Sequence, residues 1–206
     1  PQILQLAGIG PVDLLAEHGV SVRHALTGVG ANLHDHLQVR TIYKVNNTVT
    51  LNQRARTPWG MAAMGIEYFL KRTGPLTMPP SQLGAFAKSD DDQQSANIEW
   101  HVQPLSLEKF GEPLHRYNAI TPSVCNLRPT SRGHVHIRSQ DPTAAPEIKL
   151  NYLSTQEDLD VAVASLKFTR RIMRAEALQR FQPEELKPGP DIRTDQERAR
   201  AAGDLG

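Results

Sequence analysis

The chain has one cysteine, no long apolar run and no excess of charge of either sign, and each scarcity excludes a class of protein. Cys125 alone cannot close an internal disulfide, so no disulfide framework holds the fold. No stretch approaches the roughly 18 consecutive apolar residues of a membrane-spanning helix. Lysine and arginine number 23 against 22 for aspartate and glutamate, so nothing favours nucleic acid or an anionic membrane as a partner.

Alternating apolar and polar residues predict several strands. Residues Leu37 to Val45 and Asn97 to Gln103 each alternate with a period of two, which is typical of half-buried strands. Residues 117–127 and 134–138 are predicted to pair as an antiparallel hairpin, and residues 147–151 form a further extended segment. We expect a loop over residues 74–94, because proline, glycine, serine and aspartate are frequent there.

Capping residues and helical spacing predict the helices. Pro11 and Gly19 bracket a short helix, and Thr57 precedes a second helix that runs to about Arg72. Capping boxes at Ser154 and Thr194 predict two more helices, the first reaching about residue 174. With 206 residues, the chain can bury a core in one or two domains. The expected fold class is α+β, an antiparallel β-sheet flanked by helices.

Two motifs carry a resemblance to a known family. Residues 1–10 read PQILQLAGIG, and residues 28–36 read GVGANLHDH. In this order and separation they resemble the glucose–methanol–choline (GMC) family of flavin-dependent alcohol oxidoreductases, especially its choline-oxidising branch. Ala7 stands where the family usually has serine. The stretches SRGHVHIRSQDP (131–142) and ELKPGP (185–190) resemble two further family segments.

The resemblance implies a cofactor and a domain plan. Family members bind FAD through a glycine-rich GxGxxG turn, which this sequence lacks, and through segments that flank a substrate domain. By this resemblance residues 1–36 associate with the FAD domain, residues 37–186 form the substrate-binding domain, and residues 187–206 begin the return to the FAD domain. The family's catalytic histidine is expected beyond Gly206, so the chain is interpreted as an interior fragment that holds no catalytic residue. We expect the fragment alone to be inactive and to bind FAD poorly.

In such enzymes a base removes the hydroxyl proton of an alcohol and a hydride passes from carbon to flavin N5. By position the resemblance implies substrate-pocket roles for His36, Gln38 and His101. Gln38 stands where choline-oxidising relatives have a glutamate that pairs with the trimethylammonium group. A neutral amide cannot supply that charge, which argues against choline. The residues expected near FAD are Gly28, Gly30, Asn32 and Asp35.

Each candidate also has a structural interpretation. Asp35 and His36 are expected to make hydrogen bonds that fix the GVG turn, and His101 is either a pocket residue or a surface residue. No metal site is predicted, because His34 and His36 lack a third ligand at suitable spacing. His134 and His136 are interpreted as solvated, and Cys125 as buried and inert. Helical spacing predicts core packing for Trp59, Met61, Met64 and Phe69.

Three functions stay open at this point. The chain is part of an FAD-dependent alcohol dehydrogenase or oxidase, part of a hydroxynitrile lyase of the same family, or a folded substrate domain without catalysis. The expected partners are a small alcohol and the missing FAD-domain segments, with no nucleic acid and no membrane span, and an oligomer stays open. The absence of a visible targeting segment predicts a cytoplasmic protein. The sequence identifies neither the alcohol nor the electron acceptor.

Overall fold

The computed structural model describes residues 1–79, 81–109 and 111–206, and these divide into two compact units. The first unit comprises Pro1–His36 and Pro129–Leu159, and the second comprises Leu37–Arg128 and Asp160–Gly206. The domain boundaries after residues 36 and 186 stay predictions. The association of either unit with FAD or substrate stays a prediction.

Helices and strands alternate irregularly along the chain. The helices are α1 (Gln2–Leu6), α2 (Val12–Glu17), α3 (Leu51–Arg54), α4 (Pro58–Lys71), α5 (Gln156–Met173), α6 (Glu176–Gln179) and α7 (Asp195–Leu205), with a 3-10 turn at Pro75–Thr77. The strands are β1 (Ile9–Gly10), β2 (His24–Ala25), β3 (Val39–Arg40), β4 (Ile42–Lys44), β5 (Leu83–Ala87), β6 (Ile98–Gln103), β7 (Ala119–Asn126), β8 (His134–His136), β9 (Glu147–Lys149) and β10 (Glu184–Lys187). Among the helices that the described residues form, none is both long enough and apolar enough to cross a bilayer.

The first unit is assembled around the buried side chain of Gln5. Its Nε2 donates to the carbonyl oxygens of Val29 at 3.1 Å and Val135 at 3.0 Å, and its Oε1 accepts from the backbone N–H of Ile137 at 2.9 Å. Strand β1 pairs with β2 in parallel, and β8 pairs with β9 in antiparallel register. The glutamine therefore joins helix α1 to the GVG segment and to β8.

The second unit is built on a sheet with strand order β10–β4–β7–β6–β5, in which β3 also pairs with β7. All of these pairings are antiparallel, which confirms the expected fold class. One face carries Val39, Val124 and Trp100 in register, and all three are buried. The Trp100 indole Nε1 donates to Thr169 Oγ1 on α5 at 2.8 Å. Helix α5 therefore covers this face.

Two of the predicted caps are present as the sequence indicated. Thr57 Oγ1 accepts from the Gly60 N–H at 3.0 Å, and Pro58 is the first residue of α4. Thr194 and Glu197 form a full capping box at the start of α7. At α5 the cap lies one residue later than predicted, because Thr155 Oγ1 accepts the Asp158 N–H at 3.3 Å.

The predicted hairpin between residues 117–127 and 134–138 is wrong. Strand β7 pairs with β6 and β4, whereas β8 pairs with β9, and the two strands belong to different units. The connection at residues 128–133 holds Pro129 and makes other contacts: the N–H groups of Thr130 and Ser131 donate to the Asp158 carboxylate at 2.9 and 2.8 Å. Those contacts replace the tight turn that a hairpin needs.

The predicted core face of α4 and the predicted loop at 74–94 also need correction. Trp59, Met61 and Phe69 are 86%, 60% and 74% exposed, and only Met64 of the four predicted core residues is buried. Residues Leu83–Ala87 of the expected loop form β5, an edge strand paired with β6. Pro80, which also falls in the predicted loop, lies outside the described residues.

The Trp100–Thr169 hydrogen bond predicts a stability difference between two matched variants. Thr169→Val leaves the buried indole N–H without an acceptor and should lower the free energy of unfolding by about 1–3 kcal/mol. Thr169→Ser keeps the hydroxyl and should lose about 1 kcal/mol or less. Urea unfolding followed by tryptophan fluorescence measures both, and equal losses for the two variants would contradict this role of the hydrogen bond.

Candidate functional site

The second face of the sheet in the second unit holds a polar cavity. Ser123 on β7 lies opposite Arg40 on β3 and opposite His101 on β6, so these three residues form one row across three strands. The cavity has a volume of about 190 Å³. Its lining consists of Gln38, Arg40, Ser81, His101, Gln103 and Ser123.

Strand periodicity explains why these residues meet. Side chains two residues apart on a strand point to the same face, so His101 and Gln103 of β6 lie together, and Arg40 follows Gln38 by the same spacing. The structure thus brings together Gln38 and His101, two of the three predicted pocket residues. Sequence reasoning missed Arg40, Gln103 and Ser123. Arg40 lies two residues after Gln38, and Gln103 lies two residues after His101. This spacing was the signal that could have identified Arg40 and Gln103.

The charges of this cavity restrict what it can bind. Among the described residues that line it, Arg40 carries the permanent charge and none is a carboxylate. His101 Nε2 lies 3.3 Å from Glu99 Oε1, a contact that orients the imidazole. Gln103 is 6% exposed, and its buried Oε1 has no hydrogen-bond partner among the described residues. The cavity therefore offers imidazole, amide, hydroxyl and guanidinium groups to a small polar ligand.

Cys125 lies on the same face of β7 as Ser123, opposite Glu99. Its side chain is buried, and burial, together with the nearby Glu99 carboxylate, raises the pKa of the thiol to about 11. The thiol is therefore protonated at neutral pH and is neither a nucleophile nor a good metal ligand. The prediction that Cys125 is buried is confirmed, and its inertness stays a prediction.

In the first unit the GVG segment is packed against protein. Gly30 has φ +84°, and a Cβ at this position would lie 2.2 Å from the Val135 carbonyl oxygen. The N–H of Val135 donates to the Gly30 carbonyl oxygen at 2.7 Å, and Val29 is buried. Gly28 is exposed, and a Cβ there would meet no atom within 4 Å. Asn32 is also exposed and has φ +57°.

Asp35 and His36 follow this segment. Asp35 Oδ1 accepts from the His36 N–H at 2.9 Å, and Asp35 Oδ2 accepts from the Tyr152 hydroxyl at 2.8 Å. Burial and the hydrogen bond to Asp35 raise the pKa of Tyr152 to about 12. Asp35 therefore contacts His36 and Tyr152, and its predicted role in fixing the GVG turn stays a prediction. His36 belongs to the first unit, and its pocket role stays a prediction.

His134 and His136 are not simply solvated, so that interpretation is wrong. Both are half-buried, and their rings stack with centroids 4.0 Å apart. His134 Nε2 also lies 2.8 Å from Glu147 Oε1.

Comparison with known proteins identifies relatives over nearly the whole chain. The family model described as GMC oxidoreductase matches residues 129–205. An oxygen-dependent choline dehydrogenase of Proteus mirabilis is 35% identical over 197 residues, which cover 96% of this chain and 35% of that protein. The oxygen-dependent choline dehydrogenase of Chromohalobacter salexigens is 32% identical over the same shares. The chain thus spans about a third of the length of these relatives.

Solved structures share the fold. A formate oxidase of Aspergillus oryzae, in a study of FAD modification, aligns with a TM-score of 0.86 at 22% identity, covering 100% of this chain and 40% of that one. A pyridoxine 4-oxidase aligns with a TM-score of 0.72 at 23% identity, covering 97% of this chain and 35% of that one.

The packing of Gly30 predicts a contrast with Gly28. Gly30→Ala places a methyl group on the Val135 carbonyl and strains a left-handed backbone, so it should lower the free energy of unfolding by about 3 kcal/mol or more. Gly28→Ala adds the same methyl group in open space and should change stability by about 0.5 kcal/mol or less. Thermal unfolding of the two variants tests the contrast, and a tolerated alanine at position 30 would contradict the packing.

Proposed function

Because the chain belongs to the GMC oxidoreductase family, we propose that it is the substrate-pocket portion of an FAD-dependent alcohol oxidoreductase. In this proposal residues 37–186 form the substrate-binding domain, and residues 1–36 and 187–206 associate with the FAD domain. The match covers 35% of the length of the Proteus mirabilis choline dehydrogenase, which is consistent with one portion of such an enzyme.

One observation carries the proposal: Gln38 and His101, 63 positions apart in the sequence, line the same cavity. The family resemblance names both as pocket residues without any knowledge of where they lie. Gln38 directly precedes β3, His101 lies on β6, and both of these strands pair with β7. The two residues therefore lie beside the same polar face of the sheet. A cavity of about 190 Å³ suits a small alcohol.

The cavity residues suggest roles toward such a substrate. The His101 imidazole, oriented by Glu99, can hydrogen-bond the substrate hydroxyl as its proton leaves. Gln103 Oε1 can accept a hydrogen bond from the bound alcohol, because it lacks a partner among the described residues. When bound, the flavin supplies the acceptor for the hydride, so that the alcohol becomes a carbonyl compound and the flavin is reduced.

The fit of these residues to FAD is partial. Gly28 and Asn32 are exposed and accessible to a cofactor, whereas Gly30 and Asp35 are already engaged with Val135 and Tyr152. The sequence contains no GxGxxG turn for the pyrophosphate. The described residues therefore offer part of the rim of a flavin site rather than the site itself.

The proposed substrate is an alcohol without a cationic group, although the relatives named above are choline dehydrogenases. Gln38 provides no negative charge for a trimethylammonium group. Its uncharged amide instead suits a neutral alcohol.

Flavin retention by the chain tests whether the main FAD contacts lie in other segments of the protein. After incubation with excess FAD and removal of unbound cofactor, the 206-residue chain should show no flavin band in its visible absorption spectrum. A retained band would contradict the assignment of the main FAD contacts to other segments.

Substrate preference tests the pocket in the complete flavoenzyme. His101→Ala should lower kcat/KM about 10-fold or more, because a positioned hydrogen-bonding group is lost. Gln38→Glu should raise kcat/KM for choline relative to neutral alcohols, since it adds a carboxylate beside the substrate. Anaerobic reduction of the flavin by the substrate, followed by absorbance, separates oxidation from a lyase reaction.

Two controls accompany this experiment. Gln38→Met removes the amide without adding charge and should not favour choline. Asp92→Ala removes an exposed side chain outside the cavity and should leave kcat/KM unchanged. Choline as the best substrate of the unmodified enzyme would contradict the proposed substrate class.

A further inference from the structure

We propose that His134, His136 and Glu147, on the paired strands β8 and β9, form a binding site for a divalent transition metal ion such as Zn²⁺. One ligand atom from each residue lies within 4.8 Å of the other two. The site belongs to the first unit and shares no residue with the alcohol cavity. It departs from the sequence prediction of no metal, which considered the pair His34 and His36.

Strand geometry brings the three ligands together. His134 and His136 are two residues apart on β8 and therefore project from the same face. Glu147 on β9 is directly opposite His136, and its Oε1 also lies 2.8 Å from His134 Nε2. The imidazole rings stack at 4.0 Å with an interplanar angle of 21°. Each ring can therefore direct a nitrogen toward the carboxylate.

The distances suit a tetrahedral ion after small side-chain movements. Zn²⁺ binds histidine nitrogen and carboxylate oxygen at about 2.0–2.2 Å, which places its ligand atoms about 3.4 Å apart. The separations of up to 4.8 Å exceed this value by at most about 1.4 Å. Two histidines and one carboxylate are a known donor set for Zn²⁺, with water in the fourth position.

The backbone beneath the ligands is held on both sides. Strand β9 pairs with β8 along one edge. Along the other, the Val135 N–H donates to the Gly30 carbonyl at 2.7 Å and the Ile137 N–H donates to Gln5 Oε1 at 2.9 Å. The ligands therefore start from a fixed strand, which lowers the ordering cost of binding. Their partial exposure leaves an entry path for the ion.

The other cluster of three potential ligands among the described residues is less suitable. It consists of Glu99, His101 and Cys125. The Cys125 thiol is buried with a pKa raised to about 11, and metal binding requires the thiolate. His101 also lines the proposed alcohol cavity.

Calorimetric titration of the untagged, chelator-treated chain with ZnCl₂ tests the proposal. We expect one equivalent to bind with a dissociation constant on the order of micromolar, as for an exposed three-ligand site. His134→Ala and His136→Ala should each weaken binding about 10-fold or more, and Glu147→Gln should weaken it in the same direction. Circular dichroism of each variant shows whether its fold is kept.

His34→Ala is the matched control, because His34 belongs to the second His-x-His pair of the chain and to neither cluster of potential ligands. It should bind Zn²⁺ as the unmodified chain does. If a ligand variant fails to fold, histidine-ring NMR of the unmodified chain replaces it, and Zn²⁺ should shift the resonances of His134 and His136 but not those of His34. No binding, binding unaffected by His136→Ala, or shifts at other histidines alone would overturn the proposal.

Discussion

The double pairing of strand β7 is the constraint on which the candidate pocket depends. Ser123 of this strand faces Arg40 on one side and His101 on the other, so two distant segments of the sequence share a row. The same register places Val124 between Val39 and Trp100 on the opposite face. A slip of one residue along β7 would exchange the apolar face for the polar one and would remove both the core and the cavity.

Several of the helices and strands could be predicted from local sequence patterns. Period-two alternation correctly identified β6 and its two faces, and the caps at Thr57 and Thr194 are where the sequence indicated. Partner choice could not be predicted in the same way, because alternation marks a strand without saying which strand it pairs with. The predicted partner of β7 was therefore wrong. Helical spacing likewise identified α4 but not the exposure of Trp59 and Phe69, since tertiary packing decides which helical faces are buried.

The candidate site residues likewise divide into those that the sequence indicated and those that only the fold brings together. The family resemblance implied pocket roles for Gln38 and His101 by their position. The fold then added Arg40, which carries the charge of the cavity, and Gln103, whose Oε1 has no hydrogen-bond partner among the described residues. No motif marks the whole cluster of His134, His136 and Glu147, because the family segment at residues 131–142 ends before Glu147. Its third member lies 11 residues beyond the second, and only the pairing of β8 with β9 makes them neighbours.

The contacts of Gln5 have a consequence for how the first unit can vary. The three hydrogen bonds that the Gln5 side chain makes with described residues go to backbone atoms of Val29, Val135 and Ile137. Every amino acid except proline provides the same N–H, and all provide the same carbonyl. A single glutamine can therefore hold strand β8 in place whatever side chains that strand carries. Related chains could have other residues at positions 134 and 136 and still keep the hydrogen bonds between Gln5 and this strand. The strand can therefore acquire or lose a ligand-binding surface without a change in the fold.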